Sequence, residues 1–207
     1  MNTFVSYTQL IKSLLLKIIA CDQTHAKWLN TLSYLENCGA RKIAACEHPT
    51  MVKEEMLKHA AEEFRHAHYL KRQIAKLSAG SINTYANHFI LGGVASRQYL
   101  AHLDLKTSCY LKKLGFNKKS IKEAAYLLVT YAIELRAAEL YALYNDLLKK
   151  TSSKVTVSSI LLEEKEHLNE MKEGIEELHL GFLHAQRVSA LEGELCKQWL
   201  CAIDKSI

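Results

Sequence analysis

Apolar residues recur along this chain in steps of three and four, the spacing that gathers them on one face of an α-helix. Ile11, Leu14, Leu15, Ile18 and Ile19 make the first stripe, over 4–20. Lys12 and Lys17 interrupt it, so it reads as an amphipathic helix rather than a membrane span. A second helix, capped by Asp22 or Thr24, is predicted to run to about Glu47. His48-Pro49-Thr50 then makes a turn, with Thr50 as N-cap of a helix over 51–77 that Ser78–Ser81 closes. Residues 82–95, which contain Gly92-Gly93, are the least regular part, and a helix over 97–114 ends at Gly115. Ser120, with Glu123 three residues on, opens a long helix to about Lys150 as a capping box. After a loop at 151–154 come a helix over 156–184 and a last amphipathic helix over 187–203. Val155-Thr156-Val157 is the one strand-like run and is too short to build a sheet. The expected fold is all-α, two helical hairpins joined by a crossover of roughly forty residues, which is one way to make a four-helix bundle.

Composition narrows this further. At 207 residues, 49% hydrophobic and with one proline, the chain suits a single well-cored domain over 1–207, its bundle at about 24–184. Six cysteines without a C-x-x-C disfavour zinc ribbons and leave free thiols as the expectation, in a cytoplasmic setting. The N-terminal stripe lacks a charged lead and a small-residue cleavage site, so it is not read as a signal peptide. The net charge of +5 is mild. Lys112, Lys113, Lys118, Lys119 and Lys122 gather loosely without interleaved aromatic residues, which reads as a solvated loop; phosphate contact is the alternative.

The chemistry lies elsewhere. "ILLEEKEHLNEM", residues 160–171, places Glu164 and His167 three apart on the face that also carries Ile160, Leu161, Leu168 and Met171. Residues 61–66, "AEEFRH", repeat the pattern with Glu63 and His66. Each pair falls on the second helix of a hairpin whose first helix carries an acid in an apolar run, Glu36 and Glu134 respectively. A third pair, Glu176 and His179, has no matching acid and lies about 18 Å farther along its helix. In the first hairpin, Glu36 and Glu63 are about equally far from the turn, which puts them at one height; in the second the match is looser. Four buried carboxylates and two imidazoles are untenable as bare charges, and Arg65, Arg136 and Lys165 fall on other faces. Two divalent cations would satisfy them, and oxygen-rich ligation with one imidazole per metal suits iron or manganese better than zinc.

On these residues the chain resembles the ferritin-like superfamily of di-iron carboxylate proteins, in which two helices each give a Glu and two each give a Glu-x-x-His. Ile133–Tyr141 is similar to the third-helix segment of rubrerythrins and of tRNA-modifying hydroxylases of this fold. The missing C-x-x-C departs from a rubrerythrin with its electron-transfer domain, and the helical crossover and terminal helices depart from simple ferritins. The resemblance implies a metal site of Glu36, Glu63, His66, Glu134, Glu164 and His167, with Glu63 and Glu164 bridging two iron ions, or manganese. Around it, His59, Glu139, Tyr34, Tyr131 and Tyr141 are candidates for supporting contacts, His59 also for direct ligation. The implied activity is an oxygenase, hydroxylase or oxidase using dioxygen, an external electron donor and a small organic or nucleoside-type substrate. A tRNA substrate and a homodimer stay open. The alternatives are a ferroxidase or peroxide-detoxifying protein without organic substrate, and a helical interaction protein without catalysis. Small residues beside the acids, Gly39 and Ala40, Ala137 and Ala138, serve either a pocket or close helix packing.

Overall fold

The computed structural model describes residues 4–48 and 50–207. Pro49, placed in a turn by the sequence, lies outside the described residues. Among those described there are seven α-helices, one 3-10 turn (Asn87–Phe89) and no strand. In chain order the helices are α1 (Thr8–Ile19), α2 (Asp22–Cys46), α3 (Glu54–Ile74), α4 (Gly93–Lys113), α5 (Lys118–Lys150), α6 (Ser158–Glu177) and α7 (Gly181–Asp204). Helices α2 and α3 form one hairpin and α5 and α6 the other, while α7 packs on α1 and α4 and all three pack on α5. No described helix is long and apolar enough to cross a membrane.

Helix ends differ from expectation where another residue takes the cap. α3 begins at Glu54 after Lys53, not after Thr50, with Glu54 and Glu55 set against the positive end of the helix dipole. α5 is capped by Asn117, whose side-chain oxygen accepts from Ser120 N at 3.0 Å, so Ser120 sits inside the helix. The helix expected over 156–184 is two. It breaks after Glu177, Leu180 adopts a left-handed φ of 54°, and α7 starts at Gly181 instead of 187. A Cβ on Gly181 would lie 2.0 Å from the Ile175 carbonyl oxygen, so this corner requires glycine.

The loose register of the second hairpin has a physical solution. From Glu134 to Lys150 α5 rises about 24 Å, whereas α6 rises only about 9 Å from Ser158 to Glu164. The irregular segment 151–157 takes up the difference. Val155 and Val157 are fully buried, Thr156 N donates to Gln73 Oε1 at 3.1 Å, and Tyr69 bonds Thr156 Oγ1 at 2.8 Å. The run too short for a strand thus starts α6 beside the last turn of α3, partway along α5, and brings Glu164 level with Glu63.

The crossover is pinned by polar contacts from α2 and α3. Asn30 donates to the carbonyls of Thr84 and Phe89, Lys71 donates to Asn30 and to the Ile82 carbonyl, and Thr31 accepts from Leu91 N. The core beneath is dominated by Trp28, Trp199, Tyr141 and Tyr144. Replacing Gly181 by Ala should lower unfolding stability by about 1–3 kcal/mol in a urea melt, since the added carbon forces the corner to move.

Candidate metal centre

Glu36 comes from α2, His59, Glu63 and His66 from α3, Glu134 from α5, and Glu164 and His167 from α6. Positions 59, 63 and 66 follow one stripe of α3, and 164 and 167 one stripe of α6, because steps of three and four return to the same face. All are buried except Glu36, which is partly so. They form two groups, His59–Glu63–Glu134–His167 and Glu36–Glu63–His66–Glu164, in each of which one ligand atom per residue lies within 4.8 Å of the others. Glu63 belongs to both, whereas Glu164 falls in the second alone. His59 stands with the ligands, so the first group has two imidazoles rather than one.

Ring nitrogens face carboxylates across the centre. His66 Nδ1 is 3.1 Å from Glu164 Oε1, His59 Nε2 is 3.2 Å from Glu134 Oε1, and His167 Nδ1 is 3.6 Å from Glu63 Oε1. Among the described residues, eight buried side-chain nitrogen or oxygen atoms lack a hydrogen-bond partner, and six belong to this cluster. They are His59 Nε2, Glu63 Oε1, His66 Nδ1, Glu134 Oε2, Glu164 Oε1 and His167 Nδ1. Leaving such atoms unsatisfied is costly, and here they converge from three helices, α3, α5 and α6. Convergent oxygen and imidazole donors with no thiol among them fit divalent metal ions.

The far side of each imidazole is also specified. His66 Nε2 bonds Glu163 Oε2 at 2.7 Å, and His167 Nε2 bonds Glu62 Oε2 at 2.8 Å. The first acid of each Glu-Glu-x-x-His run therefore serves the histidine of the other run. A carboxylate acceptor keeps the proton on Nε2 and turns the Nδ1 lone pair inward, where a metal would need it. Arg65 Nη1 bonds Glu163 Oε1 at 2.8 Å and holds one of these outer acids in place. Tyr126 OH lies 3.5 Å from His59 Nδ1, and Tyr141 OH donates to Glu36.

Sequence reasoning placed some residues here that lie elsewhere. Glu139 is five residues past Glu134 and points away from the cluster. It pairs with Arg136 and accepts from Tyr7 N and Thr8 Oγ1, tying the start of α1 to α5. Tyr34 packs edge-on against Tyr85 with Arg97 over its ring. Tyr131 is a partly buried core residue. Arg136 does face away from the ligands as expected, but it is buried, bonded to Glu192 at 2.9 Å. The control pair Glu176 and His179 is exposed and in neither group. Glu62, Glu163 and Tyr126 were missed. The doubled acid in both motifs was the available signal for the first two; nothing in the sequence singles out Tyr126.

Protonation follows from burial and crowding. Burial and the neighbouring acids Glu63 and Glu164 push the Glu36 carboxyl well up. Burial and Glu134 do the same to Glu164. Glu134 is pushed up to about 8, chiefly by burial, with Glu63 and Glu36 adding repulsion. Glu63 is the exception: burial opposes its charge, but His59, Glu36 and His66 outweigh burial and bring it down to about 2. His66 is disfavoured by burial yet held up at about 9 by Glu164, Glu63 and Glu163. Without metal, one central carboxylate is charged and its neighbours keep protons.

No family model matches the chain, and no curated protein or solved structure does.

Two outcomes are expected of this geometry. Metal must displace protons from Glu36, Glu134, Glu164 and His66, so low pH opposes loading. In weakly buffered solution at pH 7, loading should release more than one proton per chain, and affinity should drop from pH 8 to pH 6. Replacing Glu62 by Ala should weaken metal binding about 10–100-fold, read by competition with a chelator, with helix content unchanged in circular dichroism.

Proposed function

We propose that this protein is a di-iron carboxylate oxidoreductase of the ferritin-like kind, with manganese as the alternative metal, acting on an organic substrate with dioxygen. The observation that carries the reading is the pair of donor groups sharing Glu63, one of three carboxylates and one imidazole, the other of two of each. Support for the ferritin-like assignment comes from two hairpins, α2–α3 and α5–α6, of which α2 and α5 each give a Glu and α3 and α6 each a Glu-x-x-His, with His59 an addition to that pattern.

In this reading Glu36, Glu164 and His66 would hold one ion and His59, Glu134 and His167 the other, with Glu63 a member of both donor sets. Iron held there would supply electrons for dioxygen activation, the chemistry that oxygenation or dehydrogenation of an organic substrate requires. The chain's own part is positional and electrostatic. Glu62 and Glu163 fix the imidazole rings, Tyr141 keeps one Glu36 oxygen oriented and holds a proton at the edge of the centre, and the surrounding core excludes water. An external donor must return electrons after each turnover.

A ferroxidase without organic substrate needs only the donor groups. An organic substrate needs room beside them, and such a cavity is present: Gly39 and Ala137 line it, while Ala40 and Ala138 do not. Two of the four small residues thus make space and the others serve packing.

Protein from iron-replete cells should carry about two iron ions per chain, one per donor group. Glu63→Gln should empty both positions and Glu36→Gln only one, measured by metal analysis. Equal metal content in both variants and the parent would overturn the assignment.

A further inference from the structure

We infer that the cavity beside the metal centre receives the hydrocarbon body of the substrate, an alkyl chain or an unsubstituted ring, and rejects nucleosides. This rests on the metal-centre reading above and names the substrate class for it.

The cavity holds ≈ 120 Å³ of space accessible to the centre of a water molecule. The carboxylate cluster forms part of the wall, with Glu36, Glu63, Glu134 and Glu164, and the lining continues past it on one side to Leu32 and Leu140. From the carboxylates the α2 side of the cavity follows one helical stripe, Glu36, Gly39, Ile43 and Cys46, a run of roughly 15 Å. Val129 and Ile133 of α5 face that stripe, and Leu100 of α4 contributes from the third side. Beyond the carboxylates the lining is almost wholly apolar.

The polar groups in the wall decide the class. Arg136 and Tyr99 are bonded to Glu192, Tyr141 to Glu36, and Tyr126 lies against His59. Lys42 and Asp104, the most exposed charged residues of the lining, bond one another at 2.9 Å. Apart from the Thr130 hydroxyl and the carboxylate oxygens that a metal would take, the polar groups of the wall already have partners inside the protein. A nucleobase or ribose brought into the cavity would lose water without gaining hydrogen bonds, which costs binding energy for every polar edge. A hydrocarbon loses nothing of that kind and gains from leaving water. The Lys42–Asp104 pair marks the wet end, where a polar terminus of the substrate would rest, and the hydrocarbon runs past the carboxylates toward Leu32 and Leu140.

The test uses the full chain as purified, with octan-1-ol and adenosine as probes. Trp199 lies in the cavity wall and stacks on Trp28 at 6.0 Å, and these are the chain's two tryptophans, so intrinsic fluorescence reports occupancy. Octan-1-ol should bind saturably at one site, and adenosine should leave the emission unchanged. Ala137→Phe and Val129→Phe, which fill the cavity from two points on α5 without touching a ligand, should each weaken octan-1-ol binding at least tenfold. No saturable binding by the parent, binding undisturbed in both variants, or adenosine binding in place of the alcohol would overturn the inference. Metal content of the same samples is read separately. Alcohol binding as expected in protein that takes up no metal would count against the metal centre and leave the apolar cavity standing.

Discussion

Four carboxylates and three imidazoles meet at one level inside a helical protein whose surroundings are otherwise leucine, isoleucine, tyrosine and tryptophan. Like charges so close cannot all ionise in a low-dielectric interior, and neutral donors and acceptors left without partners are costly as well. Divalent cations resolve both problems together. The rest of the architecture can be read as what that resolution demands: ligands on long helices, helices locked in register, and outer acids that hold each imidazole at a fixed angle.

Register is where the demand bites hardest. The first hairpin meets it by symmetry about its turn. The second is asymmetric, and the buried segment around Val155 and Val157 lets α6 begin partway along the bundle. Support for the site also reaches outside the four ligand helices. Arg136, two residues from Glu134, is anchored to Glu192 on α7 and to Glu139, which in turn gathers the start of α1. α1 and α7 thereby steady the ligand-bearing stretch of α5, and α4 closes one side of the cavity.

Much of this was written in periodicity. The two Glu-x-x-His pairs, the acids on partner helices and the all-helical fold follow from steps of three and four and from equal distances to a turn. What escaped was set by contacts that sequence spacing does not encode. His59 reads first as a surface or core histidine, and as a supporting contact or ligand only second, until α5 and α6 are seen to bring Glu134 and His167 against it. Glu139 falls on a different side of the helix from Glu134 by spacing alone, and only the fold shows that it serves Arg136 and the start of α1. The split at Leu180-Gly181 was hidden because apolar residues continue on both sides of it. Asn117 displaced Ser120 as a cap because either side chain suits the position and only the loop conformation chooses. The outer acids Glu62 and Glu163 sat in plain view as doubled glutamates, but their exchange between motifs depends on how α3 and α6 face each other.

The central claim is that these seven side chains enclose two metal ions that share Glu63. An anomalous-scattering map at the iron edge, from crystals of protein grown with iron, tests it most directly. The account predicts two peaks flanking Glu63, one beside Glu36 and His66, the other among His59, Glu134 and His167. A map with no peak in the bundle interior, or with metal only at surface residues, would contradict it.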